Sequence, residues 1–238
     1  MNTITKLDAA LYPKYSTKNW DDRIFRERVL AVLKPDDSLL DLGAGAGIIP
    51  EMNFRDCVRQ VHGLDPDQRV LVNPFLHLAS VGFGDDIPCL DESVDCVIAD
   101  NVLEHLDNPA RVFREVARVL KPGGRFLFKT PNKFHYMPAI AMFTPTRFHQ
   151  FVNQKRGREI EDTFPTRYRA NSKRQVSKLA SESGLTVTRI ERIEGRPEYL
   201  RFSMVTYLLG WLYERIVNIS PIFEGLRLVL IGELRKPD

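Results

Sequence analysis

Apolar residues along this chain follow two rhythms. Short unbroken apolar runs read as strands buried on both faces, and apolar residues recurring every three or four positions read as one-sided helices. The runs predict strands over 38–42, 60–64 ending at Asp65, 79–82, 93–100, 125–130, 185–193 and 226–234. Between them, Ile24, Phe25, Val29, Val32 and Leu33 share one helical face behind a cap at Asn19 or Asp21. The clearest helix has Asn108 as cap, Pro109 at its first position, and Val112, Phe113, Val116, Val119 and Leu120 on one side. Ser172-Lys173-Arg174-Gln175 is a capping box for another, closed by Gly184, and residues 199–217 give a markedly apolar last helix. A short helix is expected around 48–55, and at most one or two turns over 68–73, where Pro74 disfavours helical geometry at Asn73. Residues 1–19 show little periodicity and read as an arm. Residues 133–170 mix Pro, His, Arg and aromatic side chains without a period and read as an insertion.

Alternating strands and helices imply a parallel sheet covered on both faces, with ligands at the carboxyl ends of the strands. That rule gathers Asp41, Asp65, Asp100 and Asn132 on one rim. The first strand runs into Gly43-Ala44-Gly45-Ala46-Gly47, a turn in which backbone can approach a ligand closely. A pyrophosphate fingerprint needs Gly-x-Gly-x-x-Gly, but the last position falls on Ile48 counted from Gly43 and on Pro50 counted from Gly45. The Asp41 carboxylate repels a pyrophosphate and attracts a ligand carrying an ammonium and a sulfonium. A turn that only connects strand to helix is the bland alternative.

Composition narrows the class more than the chemistry. The 238 residues suffice for one large domain, and 43% hydrophobic with 27% charged residues is ordinary for a globular protein. Cys57, Cys89 and Cys96 lack pair spacing, so neither a disulfide framework nor a zinc site is expected, and a reducing, cytoplasmic setting follows. No signal peptide is read at the N-terminus. The longest uncharged apolar run, 202–213, falls short of the ~20 residues that span a bilayer. Net charge is +3, yet the stretch 133–174 holds nine basic against three acidic residues, +6, which leaves −3 for the remainder.

Taken together, Leu40-Asp41-Leu42-Gly43-Ala44-Gly45-Ala46-Gly47, Gly63-Leu64-Asp65, Ile87-Pro88, Ser93-Val94-Asp95-Cys96-Val97, Val102-Leu103-Glu104-His105-Leu106 and Arg118-Val119-Leu120-Lys121-Pro122-Gly123-Gly124 resemble the class I S-adenosylmethionine-dependent methyltransferases, particularly the type 11 group. The resemblance covers about residues 35–131 and continues loosely beyond. It implies a seven-stranded Rossmann-like α/β sheet, mostly parallel with an antiparallel last strand and helices on both faces. It also implies one domain: an N-terminal arm and helix (1–34), a cofactor-binding core (35–132), a basic substrate cover (133–171) and a C-terminal part (172–238). S-adenosylmethionine is the implied cofactor. Asp41 and the backbone of Gly43, Ala44, Gly45 and Gly47 would hold its methionine part. Asp65, with Pro66 beside it, would accept the ribose hydroxyls. Many members carry an acid directly after the third-strand glycine or one position later; here Phe83 follows Gly82, so adenine falls to Gly84 and Asp85 or to stacking on Phe83. Asp100 and Asn101 would line the cleft beside the methyl group.

Methyl transfer from a sulfonium needs alignment in a dry cleft, and a base only where the acceptor must lose a proton. His105 is the leading base, with a loop-fixing role as its alternative. His135, Tyr136, His149 and Arg167 in the insertion are candidate substrate contacts. No metal is expected, although Asp100, Glu104, His105 and Asn132 are the donors such a mechanism would use. The absence of Asn-Pro-Pro-aromatic after the fourth strand disfavours amide or adenine N-methylation, and no cysteine suits cytosine C5 chemistry. The expected reaction is methylation of an oxygen on a small, anionic, lipid-linked or glycan-linked acceptor. A non-catalytic, cofactor-binding or regulatory protein and an RNA methyltransferase are the alternatives, nucleic acid ranking low for want of an RNA-binding module, and a monomer or homodimer is expected. Residues 199–217 carry more apolar surface than one stripe needs, which leaves core packing, a pocket cover, a subunit contact or peripheral contact with the inner face of a membrane open.

Overall fold

The computed structural model describes residues 3–17, 19–138 and 165–238. Its centre is a seven-stranded sheet in the order β3-β2-β1-β4-β5-β7-β6. The strands are β1 (Ser38–Leu42), β2 (Gln60–Asp65), β3 (Leu78–Val81), β4 (Val94–Asp100), β5 (Leu120–Pro131), β6 (Thr186–Ile193) and β7 (Val229–Arg235). All pairings among β1 to β5 are parallel, and β7 lies antiparallel between β5 and β6. Strand order therefore reverses between β1 and β4, which opens a crevice beyond their carboxyl ends.

Each face of the sheet carries a core. On one face α3 (Pro109–Val119) and α4 (Lys173–Glu182) press on Leu40, Val97, Phe126 and Phe128. The apolar stripe of α3 explains its position: Val112, Phe113, Val116 and Val119 are all buried, each burial contributing roughly 1.5–3 kcal/mol. Its cap is the expected one, with Asn108 accepting from the Arg111 amide. On the other face α2 (Trp20–Leu30) buries Trp20, Phe25 and Val29 against Leu39, Ile98 and Leu127.

Four expectations about elements differ from the structure. Residues 3–11 form a helix, α1 (Thr3–Leu11), rather than an arm. It is pinned by Asp8, which pairs with Arg196 and Arg201, while Tyr12 donates to Glu214. After the glycine turn only a single 3-10 turn forms (Pro50–Met52), because the Arg26 guanidinium takes the carbonyls of Glu51 and Asn53 that a longer helix would have used internally. Leu120 is not on the helix and the strand does not wait for residue 125; β5 already starts at Leu120 and crosses Lys121-Pro122-Gly123-Gly124 with a register shift opposite Val94 and Cys96. The last helix, α5 (Met204–Ile219), begins five residues later than the apolar pattern suggested, behind a Ser203–Thr206 capping box.

Candidate active site

The carboxyl ends of β1, β2 and β4 open into a cavity of about 1230 Å³ whose wall includes Gly43, Asp65, Pro66, Gly84, Asp85, Asp100 and Asn101. The glycine turn is shaped for its place. Gly43 has φ +76°, its amide donates to the Leu64 carbonyl, and a Cβ there would collide with the Val102 side chain. Gly47, at φ +71°, lies against Asn73, whose side-chain amide donates to the carbonyls of Ala44 (2.9 Å) and Gly45 (3.1 Å) and whose oxygen accepts from the Phe75 amide. Asn73 thus clamps the turn from outside. Sequence reasoning missed it, although an Asn-Pro step shortly after the second strand is a turn signal.

Asp65 is fixed at both oxygens: one accepts from the Gly45 amide (2.9 Å) and the other from the Asp67 amide (2.8 Å). Each oxygen keeps a lone pair for a ligand hydroxyl. Asp41 is buried at the end of β1, and burial together with Asp100 and Asp65 holds its carboxyl well above the usual range. It stands behind the cavity wall, as do Ala44, Gly45 and Gly47, with the open side of the turn at Gly45, where a Cβ would meet nothing within 4 Å.

Asp100 is on the wall itself. Both of its oxygens are shielded from water, and Oδ1 sits 3.0 Å from Lys129 Nζ as an ion pair. Lys129 is 1% exposed and also pairs with Asp21 and Asp22 at the start of α2. The expected rim thus includes a buried lysine that was not foreseen. Its signal was a charge directly after the apolar run Phe126-Leu127-Phe128 of a buried strand, which must find partners. Burial, reinforced by Asp22 and Asp21 and opposed by Lys129, pushes Asp100 up to about 7.

On the far side of the cavity Glu104 is buried and accepts from Thr130 Oγ1 (2.8 Å), which in turn accepts from Asn171 Nδ2 (2.6 Å). Burial raises the Glu104 carboxyl above its ordinary range. His105 Nδ1 lies 3.1 Å from the Pro165 carbonyl, and its Nε2 is 4.0 Å from Glu104. A carbonyl can only accept, so Nδ1 carries a proton. Arg167 is on the wall and pairs with Asp107. Its amide and that of Tyr168 donate to the Glu104 carbonyl, joining this segment to the loop after β4.

Two candidate substrate contacts stand elsewhere. His135 is fully buried, packed on Tyr136 and Tyr213 with Nε2 3.6 Å from Glu194, and neither His135 nor Tyr136 lines the cavity. Burying this imidazole against β7 and α5 removes it from any acceptor in the cavity, a correction to the sequence expectation. His149 lies outside the described residues. Phe83, 66% exposed, is on the wall with Gly84 and Asp85. Among the described residues no cluster of three His, Cys, Asp or Glu side chains could hold a metal ion.

These features fit a cationic, ribose-bearing ligand. Asp100 adds an acidic group to the wall, Asp65 presents a bidentate acceptor, and the turn at Gly45 has space for an approaching group. If an ammonium settles beside Asp100, binding draws its proton off, so affinity for S-adenosylmethionine is expected to rise as pH climbs through about 7 and then level off. Calorimetry across that range would check it, with Asp100→Asn expected to flatten the dependence.

Comparisons with known proteins agree with this geometry. Residues 15–190 match the family described as "Methyltransferase domain". A "Probable S-adenosylmethionine-dependent methyltransferase" of Mycolicibacterium smegmatis is 36% identical over 104 residues, 42% of this chain and 40% of that protein. The chain therefore spans about two fifths of that relative's length. A ubiquinone biosynthesis O-methyltransferase of Hydrogenovibrio crunogenus is 25% identical over 190 residues, 73% of this chain and 74% of that protein. Among solved structures, geranyl diphosphate C-methyltransferase from Streptomyces coelicolor, in complex with Mg2+, geranyl diphosphate and S-adenosyl-L-homocysteine, superposes with a TM-score of 0.56 at 17% identity, covering 91% of this chain and 77% of that one. This last likeness is one of fold. With the glycine turn, the acidic rim and the family match over most of its length, the chain belongs to the class I S-adenosylmethionine-dependent methyltransferases.

Proposed function

We propose that this protein transfers a methyl group from S-adenosylmethionine to an oxygen of a small acceptor that is anionic or carries a lipid or glycan. The observation that carries the reading is Asp65, on the wall of a large cavity, with each oxygen tied to a backbone amide and the first of these in the glycine turn. When bound, the cofactor supplies an electrophilic methyl group on a good leaving group. The chain's own residues supply the rest: Asp65 orients the ribose, Asp100 puts an acidic group beside the cationic end, and Leu42, Leu64 and Val112 exclude water from the cofactor side of the cavity.

The acceptor side supports oxygen chemistry. In this reading His105 Nε2 takes the proton of an acceptor hydroxyl as the oxygen–methyl bond forms and the methyl–sulfur bond breaks. Glu104, 4.0 Å away, stabilises the imidazolium that results. The name of the Hydrogenovibrio relative points to the same acceptor atom. Phe202, Leu106 and Ile4 on the wall favour an apolar group, and Arg167, paired with exposed Asp107, is the cation nearest the acceptor side for an anionic one.

Incorporation of labelled methyl groups into fractionated lysate, followed by mass spectrometry of the product, tests the proposal; labelling of a carbon or nitrogen instead would overturn the oxygen assignment. His105→Ala is expected to leave S-adenosylmethionine affinity nearly intact in calorimetry and to lower turnover by roughly 10²–10⁴-fold. Unchanged turnover would make the histidine a loop anchor through Pro165.

A further inference from the structure

Helix α5 is built inside out. Its inward side carries the polar chemistry: Tyr207 donates to Asp8, and Glu214 accepts from Tyr12 and Asn218. Its outward side is apolar. Met204, Val205, Leu208, Leu209, Leu212, Ile216 and Ile219 are 42–80% exposed and fall within roughly 140° of arc, with Arg215 the only charge on that arc. Ile222, 85% exposed, extends the strip past the helix end. An apolar face this long is too costly in water to be incidental and calls for a covering phase.

The charges around the face say which phase. In α1, which packs beside α5, and in the stretch 196–219, the acids are Asp8, Glu198 and Glu214, and all three are turned into ion pairs or hydrogen bonds within the protein. The charged residues left exposed there, Lys6 and Arg215, and Lys14 just past α1, are all basic, Arg215 reaching Glu214 at 3.3 Å. We infer that the apolar face of α5, with Arg215 on its arc and Lys6 and Lys14 on and just past the adjoining α1, docks on an anionic lipid surface. No described helix is long and apolar enough to cross a membrane, so the contact is one of surface lying. Phe202 gives it a purpose. It is 53% exposed at the head of the strip and also lines the cavity, so docking sets the cavity mouth at the lipid boundary, where an acceptor with a hydrocarbon tail resides.

Flotation of the full chain with vesicles of phosphatidylcholine, with and without phosphatidylglycerol, tests the inference without cofactor or turnover, so its failure is separable from that of the methyltransferase proposal. The protein is expected to float with the anionic vesicles. Val205→Glu with Leu209→Glu should abolish flotation, and Lys6→Glu with Lys14→Glu should weaken it on the order of tenfold or more, each exposed cation counting separately at such a surface. All four positions are exposed, and unchanged melting curves would show that the variants fold. Three outcomes would overturn the inference: no flotation with either vesicle, flotation indifferent to both variants, or a defined homodimer in light scattering that Leu209→Glu converts to monomer, which would make the face a contact between two copies.

Discussion

Asp65→Ala is expected to weaken S-adenosylmethionine binding by roughly two to four orders of magnitude, since a carboxylate accepting from two ligand hydroxyls forfeits hydrogen bonds worth about 1.5–3 kcal/mol each. The loss is compounded within the protein. The same side chain holds the Gly45 and Asp67 amides, so the alanine leaves two donors unsatisfied and frees the glycine turn to drift. Calorimetry with S-adenosylmethionine and S-adenosylhomocysteine would measure the loss, and both ligands should suffer alike because both carry the ribose. Asp65→Asn should fall between, since the amide oxygen retains one acceptor and its NH₂ opposes the neighbouring amides. Full affinity in Asp65→Ala would remove the ribose assignment and with it the reading of the β2 end.

The second large effect is on stability. Lys129→Met leaves Asp21, Asp22 and Asp100 grouped around an apolar side chain, and stripping one partner from a buried ionic cluster costs about 3–5 kcal/mol. For a chain of this size that is a fall in Tm of roughly 6–20 °C. The pH dependence identifies the cause. Burial works against the Lys129 charge, but Asp100, Asp21 and Asp22 outweigh it and hold the ammonium protonated well above the usual lysine range, so its contribution is constant through neutrality. Asp100 titrates the other way. Because its folded carboxyl is raised to about 7, the stability linked to its proton is full below the unfolded value near 3.8 and is lost as pH rises through about 7. Removing the lysine pushes the carboxyl higher still. The deficit of Lys129→Met should therefore widen above neutrality and shrink in mild acid, and adding Asp100→Asn should recover part of it. A deficit independent of pH would mean that packing, not charge, is what Lys129 supplies.

How far the sequence reaches depends on whether a residue's partner is local. The strand ending at Asp41, the Asn108 cap and the turn of α3 onto the sheet were legible because each is set by neighbours a few positions away. The rim of Asp41, Asp65 and Asp100 was legible because a parallel sheet places successive strand ends on one side whatever the loops do. Distant partners were not. The helix expected after the glycine turn is shortened by Arg26, which lies 25 residues before the first carbonyl it binds. Lys129 advertised a need for partners without naming Asp21 and Asp22, 108 and 107 residues away. His135 read as a surface contact because its insertion is basic and aromatic. Its burial depends on Tyr213 and Glu194, which only the antiparallel return of β7 brings near.

That return also bears on how the chain acquires its shape. Residues 229–235 are inserted between β5 and β6, and the Arg125–Glu233 ion pair closes a loop of 108 residues. Until that insertion is made, two complete strands expose unpaired backbone toward each other, a pairing edge open to a neighbouring chain. Nascent protein should thus be most prone to aggregate late, after β6 has emerged and before β7 has threaded home, which makes this step the one where a chaperone or a lowered temperature would most raise the yield of native protein.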